Sequence, residues 1–143
     1  MEQSGVYLTI DLQNNMEILI IFILHWYLSL FVQTFFLHRY ASHQMFKMNP
    51  VTEKIFFILT WLAQGSSFLH PAAYALMHRK HHEHSDTDKD PHSPVSFNSW
   101  FMFMYKTRDE YASYIDKVNE GKYSDKSLPR WPLVEKIGDS YIS

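Results

Sequence analysis

The chain begins with an uncharged segment that is long enough to cross a membrane. No Asp, Glu, Lys or Arg lies between Ile18 and His38, and about 20 helical residues at a rise of 1.5 Å span a hydrocarbon core of about 30 Å. A cleaved signal peptide is the alternative, but no basic residue precedes the segment and no small-residue cleavage site ends it. We therefore predict a transmembrane helix over about 18–38 in an integral membrane protein.

A second uncharged run covers about 55–78, but polar residues and a proline interrupt it. Gln64 and His70 lie inside it, and Pro71 is expected to break or kink a helix. The polar residues need partners in protein or water at that depth. Two interpretations of this second apolar helix follow from the sequence: a full membrane crossing, and a helix in the interface or buried in protein.

The distribution of charge predicts where the remaining chain lies. All 13 Lys and Arg residues lie at or after Arg39, and positive residues favour the cytoplasmic side of a membrane. The region 79–143 is therefore predicted to be cytoplasmic or interfacial. Within it, the aromatic and Met residues of 97–105 suit the headgroup boundary, and 108–120 has helical periodicity. The predicted fold class is all-α, with integral membrane helices and a cytoplasmic-face helical cap.

Composition excludes several classes of function. The 143 residues include no Cys, which excludes a disulfide framework, a zinc–thiolate site, an iron–sulfur cluster and a Cys nucleophile within this chain. The formal net charge of −2 gives no electrostatic reason to expect a nucleic acid partner. Nine residues are His, and five of these lie between His78 and His92.

The histidines form two groups with the spacing of metal ligands. In HRKHH, His78, His81 and His82 lie at i, i+3 and i+4, which places three imidazoles within about 100° of arc on one helix face. Neutral imidazoles gathered in this way favour a metal site. In HRYASH, His38 and His43 are five residues apart, which is about 140° on a continuous α-helix. Either the helix ends near His38, or the two residues serve different metal ions.

Three other histidines carry weaker predictions. His84 and His92 are expected to support the ligands or to face solvent. His25 lies in a polar stripe of the first helix that is more typical of helix packing than of a ligand set. An alternative for 78–92 as a whole is a flexible tract that binds metal adventitiously.

An acidic stretch, DTDKDPH, follows the second histidine group. With it, the order and spacing of the motifs resemble those of membrane-bound acyl-CoA and acyl-lipid desaturases of the delta-9 type, bacterial members in particular. In that family, histidine boxes of the form H-x4-H and H-x2-H-H are followed by D-P-H. The matching residues here are His38, His43, His78, His81, His82, Asp90, Pro91 and His92. The resemblance implies that the five box histidines bind part of a di-iron centre, which uses O2 to introduce a cis double bond into a saturated acyl chain.

The resemblance also implies partners and further site residues. The partners are an acyl-CoA or acyl-lipid substrate, O2, a lipid bilayer, and a separate ferredoxin-like or cytochrome b5-like electron donor. The expected bilayer is a bacterial inner membrane, and the charge distribution predicts that the boxes face the cytoplasm. Candidates for docking that donor or the acyl carrier are Arg79, Lys80 and Lys106. Candidates for orienting the ligands through hydrogen bonds are Asp86, Asp90 and His92. Candidates for lining the substrate tunnel are Trp61, Gln64 and Tyr74.

One departure from the family pattern concerns a third histidine box, which is absent after His92. We therefore expect 1–143 to be the N-terminal part of a desaturase domain, with an incomplete ligand set and no activity alone. The alternatives are a histidine-box hydroxylase of lipid, sterol, carotenoid or alkane, a non-enzymatic His-rich membrane protein that handles metal, and a non-functional remnant.

Overall fold

The structure, a computed structural model, describes residues 2–94, 97–123 and 125–140, and for residues 2–12 it describes the backbone alone. The helices in chain order are α1 (Glu2–Val32), its π-helical continuation (Gln33–Ser42, here the π segment), α2 (Pro50–Gln64), a short 3-10 turn (Gly65–Ser67), α3 (Pro71–His84), α4 (Trp100–Asn119) and α5 (Pro132–Gly138). No strand occurs in the described residues, and the all-α prediction is confirmed.

α1 and the π segment form one long apolar rod. Gln13–Ser42 is the one helix among the described residues with the length and composition to cross a membrane, and its most apolar stretch of 18 residues has a mean hydropathy of 2.0. From residue 13 to residue 31 nearly all of its side chains are exposed: Ile18, Ile21 and Leu24 are 64%, 66% and 64% exposed. Apolar surface of this extent requires lipid or another apolar partner. The segment predicted to span a membrane, about 18–38, lies within this rod.

The second apolar run folds as two helices. α2 ends at Gln64, and Gly65 has a φ of 50°, in the left-handed region that favours glycine. Pro71 occupies the first turn of α3, where its missing N–H leaves no hydrogen bond unmade. The second apolar helix predicted over about 55–78 is therefore two helices: the chain turns between Gly65 and His70, and the new helix begins at Pro71, where a break or kink was expected.

Small side chains bring α3 close to the π segment. Ala41, Ala72 and Ala75 are fully buried in one apolar cluster with Val118 and Leu128. Because the small Ala side chains let the two backbones approach closely, the histidine rings of the two segments come into contact. A second buried cluster, Phe36, Leu37, Phe57 and Val134, joins the π segment to α2 and α5.

Candidate metal centre

A π-helix carries the first histidine pair. The N–H of His43 donates to the carbonyl of His38 at 3.1 Å, and Ser42 Oγ donates to the carbonyl of Leu37 at 2.8 Å, each across five residues. In this geometry residues five apart lie one turn apart on the same side of the helix. The rings of His38 and His43 are accordingly 4.5 Å apart. The expected separation of about 140° is wrong, because the helix neither ends near His38 nor keeps α geometry.

α3 presents its three histidines in two directions. Nε2 of His78 lies 3.2 Å from Nε2 of His43 and 3.0 Å from Nε2 of His82. The ring of His38 is 4.6 Å from that of His78. His81 lies further off, with its ring 6.4 Å from that of His78. Four of the five box histidines, His38, His43, His78 and His82, therefore converge, and we call them the four-imidazole cluster.

The spacing within the four-imidazole cluster fits a single metal ion. Two nitrogen ligands about 2.1 Å from one ion and at right angles to each other are about 3.0 Å apart, close to the observed Nε2 separations of 3.0 and 3.2 Å. A hydrogen bond between two neutral imidazoles has a similar length. The ligand nitrogens of three residues, His38, His43 and His78, nevertheless lie within 4.8 Å of one another. Such convergence of imidazoles is typical of sites for iron, zinc or copper.

The protonation of the cluster also suits metal binding. Burial, together with the neighbouring imidazoles of His38 and His82, lowers the pKa of His78 to about 4. The pKa of His43 is lowered by burial and by the same two neighbours. Because imidazole binds metals in its neutral form, both residues are in the binding form at neutral pH.

Asp90 holds His81. Both carboxylate oxygens of the buried Asp90 contact Nδ1 of His81, at 2.8 and 2.9 Å. Burial opposes ionisation of Asp90, but hydrogen bonds from His81 and from the N–H groups of His92 and Asp86 hold the pKa of this carboxyl below its usual value. A carboxylate at Nδ1 fixes the ring and makes Nε2 the nitrogen available to a metal.

The other two candidate supporting residues act on Asp90 or near it. Asp86 donates its backbone N–H to Asp90 and accepts from Ser93 Oγ at 3.0 Å, so it supports His81 indirectly. The ring of His92 lies 6.1 Å from that of His81 and 5.3 Å from that of Phe103. Burial lowers the pKa of His92, which keeps the ring neutral at neutral pH.

A cavity of about 390 Å³ opens beside these histidines. Its walls are Gln33, Leu69, Tyr74, Met77, His78, His81, His92, Met104, Thr107, Arg108 and Tyr111. Of the three predicted tunnel residues, Tyr74 lines it and the other two lie elsewhere. Gln64 Oε1 accepts from the N–H of Leu69 at 3.0 Å and closes the turn between α2 and α3, and Trp61 packs against the second apolar cluster. Gln64 and Trp61 therefore serve the helix connection and the packing of α2, and neither lines this cavity.

His70 received no role from the sequence, yet it holds the start of α3. It is fully buried, its N–H donates to the hydroxyl of Tyr111 at 2.6 Å, and its Nε2 lies 3.5 Å from Glu135 Oε2. Glu135 also accepts from Arg130 and from the N–H of Trp131. Burial opposes ionisation of Glu135, but these partners hold its pKa below the usual value. His70 thus links α3 to a cavity wall on α4 and to α5.

A family model and several known proteins match parts of this sequence. The family model described as fatty acid desaturase matches residues 17–115. A "Delta-9 desaturase-like 3 protein" of Arabidopsis thaliana is 36% identical over 90 residues, 62% of this chain and 28% of that protein. An "sn-1 stearoyl-lipid 9-desaturase" of Synechocystis is 33% identical over 92 residues, 60% of this chain and 28% of that protein. A hex-5-enoyl-(acyl-carrier protein) acetylenase of Moorena producens is 40% identical over 70 residues, 48% of this chain and 21% of that protein.

The matched stretch includes both histidine groups and most of the chain. The aligned part of this chain spans 28% of the length of each of the first two of these relatives. No solved structure matches the chain. The extent of the family match nevertheless decides the family: the chain belongs to the fatty acid desaturases.

Proposed function

We propose that the protein is an O2-dependent desaturase of fatty acyl chains with a di-iron centre, and that its ligands in this chain are the five box histidines. The observation that carries the proposal is the four-imidazole cluster beside a cavity with apolar walls. When bound, the iron pair supplies the oxidant that an unactivated methylene requires, since no side-chain base removes its hydrogen. Desaturation with O2 takes two electrons and two protons and releases two molecules of water.

The geometry supports a division of the ligands between two ions. His38, His43, His78 and His82 form the site for one ion, because the five ring pairs among them that include His43 or His78 have centroids 4.5–5.1 Å apart. His81 belongs to the site for the second ion, because Asp90 holds it in a different direction. These five ligands leave each ion open positions for other ligands and for O2.

The cavity is the proposed site of the acyl chain. Its volume of about 390 Å³ lies in the range of ligand pockets, about 300–1,000 Å³. Leu69, Met77 and Met104 provide apolar walls that exclude water, and Tyr74 stacks on His78 with ring centroids 5.6 Å apart. An acyl chain bound in this cavity therefore lies against His78 of one proposed ion site and His81 of the other. We propose an acyl-CoA or acyl-lipid substrate and a separate ferredoxin-like or cytochrome b5-like electron donor.

The proposed location is a bacterial inner membrane, with the histidines on the cytoplasmic side. The exposed apolar surface of Gln13–Ser42 supports insertion into lipid. The positive-inside rule supports the orientation, because every Lys and Arg lies at or after Arg39.

Expression of the full-length protein in a host that lacks its own desaturase tests this function. Fatty acid methyl esters are analysed by gas chromatography and mass spectrometry, with and without O2, beside a matched His78→Gln variant. We expect cis-monounsaturated chains with the wild type in air alone. Hydroxylated chains without unsaturated ones would favour the hydroxylase alternative. If the growth or metal content of the host changes with the zinc supply while its lipids stay unchanged, the alternative of a non-enzymatic metal-handling protein would be favoured.

A further inference from the structure

Arg79 joins the two histidine-bearing segments. From α3, its Nε donates to the carbonyl of Ser42 at 2.8 Å and its Nη2 donates to the carbonyl of Ala41 at 2.9 Å. Its Nη1 donates to Asp125 Oδ2 at 3.0 Å. The expectation that Arg79 docks an electron donor or an acyl carrier therefore needs correction, because its guanidinium is occupied within the chain.

The two carbonyls that Arg79 binds are those at the end of the π segment. Backbone N–H groups of residues 43–45 already donate to the carbonyls of His38, Arg39 and Tyr40. The carbonyls of Ala41 and Ser42 come next, where a helix end has no further turn to satisfy them. A guanidinium suits this place, because it is positive near the negative end of a helix and its planar fork matches two adjacent acceptors.

Asp125 braces the guanidinium from the connection between α4 and α5. The N–H and Oγ of Ser127 donate to Asp125 at 2.8 and 2.7 Å. Hydrogen bonds from Ser127 and then from Arg79 hold the pKa of Asp125 below its usual value, so the carboxylate is charged at neutral pH. Asp125 thereby fixes the third arm of the guanidinium.

We propose that Arg79 is a positioning residue that sets the distance between the first and second histidine groups. It is adjacent in sequence to His78, and the carbonyl that it binds most closely belongs to Ser42, the residue before His43. The Nε2 atoms of those two histidines lie 3.2 Å apart. A displacement of the π segment by about 1 Å takes such a pair out of reach of one ion. The inference rests on the proposed metal site for its role, but its geometry has a test of its own.

The test uses the full-length protein in detergent micelles and two measurements. The first is titration with Co²⁺, followed by the visible absorption of the bound ion. The second is hydrogen exchange of the metal-free protein at the amides of 43–45, with α2 as an internal reference. The variants are Arg79→Gln, Arg79→Lys, which keeps the charge without the fork, and Asp125→Asn. Lys80→Gln is the control, since the ammonium of Lys80 is next to Arg79 in sequence but pairs with Glu83 on the same helix, at 3.9 Å.

We expect Arg79→Gln to raise the Kd for Co²⁺ about 10-fold or more, in the range typical of residues that position metal ligands. Arg79→Lys should recover part of this loss, Asp125→Asn should lose less, and Lys80→Gln should match the wild type. Exchange at 43–45 should accelerate about 10-fold in Arg79→Gln, with α2 unchanged. Unchanged affinity with unchanged exchange in Arg79→Gln would overturn the proposal.

The remaining outcomes also decide the question. If the wild type binds no Co²⁺, the proposed metal site fails, and the exchange rates at 43–45 alone then support or overturn the role of Arg79. If Arg79→Gln does not fold, Arg79→Lys and Asp125→Asn replace it. Wild-type affinity and wild-type exchange in both of these variants would overturn the proposal.

Discussion

The π segment and α3 bring imidazoles together equally well but by different backbone geometries. The rings of His38, on the π segment, and His43, the residue that caps its end, are 4.5 Å apart, and so are the rings of His78 and His82, four residues apart on α3. The α geometry is the ordinary one, whereas longer π-helices are rare because their hydrogen bonds fit poorly. The first histidine pair therefore depends on support from other parts of the chain, and the second pair depends mainly on its own helix.

The structure contains this support. Ser42 Oγ closes the last turn of the π segment onto Leu37, and the hydroxyl of Tyr40 donates to the carboxylate of Glu53 on α2. Arg79 binds the final carbonyls. A segment held by side chains from α2 and α3 should respond to substitutions far from it in sequence. The following predictions test that difference between the two histidine-bearing segments.

The largest effect is expected from His78→Gln. The ring of His78 lies 4.6, 5.1 and 4.5 Å from those of His38, His43 and His82, so it joins both histidine pairs. Loss of a ligand should weaken Co²⁺ binding by more than about 100-fold, beyond the 10–100-fold typical of supporting residues. Absorption titration measures this, with His84→Gln as the matched control. Equal binding by the two variants would contradict the central place of His78.

Asp90→Asn should have the next largest effect, confined to the α3 side of the site. The neutral amide loses the charge-assisted contact with Nδ1 of His81. We expect the affinity for the iron ion that His81 binds to fall about 10–100-fold. Iron content per chain after dialysis measures this. Asp88→Asn, at an exposed position, is the control. A drop of the same size in both variants would show that net charge, and not the orientation of His81, controls retention.

Two serines offer a matched test of the two helix geometries. Ser42 Oγ donates to a carbonyl five residues back in a buried position, whereas Ser85 Oγ donates to the carbonyl of His81, four residues back in an exposed position. Ser42→Ala should lower the free energy of unfolding by about 1 kcal/mol, because a buried carbonyl loses its donor. Ser85→Ala should cost less than about 0.5 kcal/mol. Thermal unfolding by circular dichroism measures both, and equal losses would remove the contrast between the segments.

The smallest effect is a pH dependence of the metal-free protein. The pKa of His78 is lowered from 6.5 to about 4 in the folded protein. As the pH falls from 6.5 towards 4, the unfolded chain takes up a proton that the folded chain does not, so stability decreases. Partial exposure of the ring limits the loss to less than about 1 kcal/mol. Denaturant unfolding at pH 7 and 5 should show this decrease in the wild type, and less of it in His78→Gln. A wild type that gains stability on acidification would contradict the shift.

The parts of the fold that follow from local patterns could be predicted from the sequence. The length of the uncharged run indicated the rod of α1, and the i, i+3, i+4 spacing placed the histidines of α3 on one side of an α-helix. The different directions of the His78 and His81 side chains could not be predicted, because the direction of His81 depends on its hydrogen bond with Asp90, nine residues after it in the chain. Pro71 predicted a break or kink in the second apolar run, and the structure places the break just before it, at a turn that begins with Gly65.

The π segment and the contacts that support it lay beyond prediction from the sequence. Reading His38 and His43 at 3.6 residues per turn separates them, and the bonds that favour the other geometry come in part from Arg79 on α3. The link between His70 and Glu135 likewise joins residues distant in the chain. In both cases the partner is set by tertiary packing, and no spacing rule connects the residues.

Mössbauer spectroscopy of the iron-loaded full-length protein tests the division of ligands most directly. The proposed division places the imidazoles of His38, His43, His78 and His82 at one ion and that of His81 at the other, so the wild type should give two iron signals of equal area. His82→Gln should alter one signal and His81→Gln the other. Loss of the same signal in both variants, or a protein that retains no iron, would contradict the account.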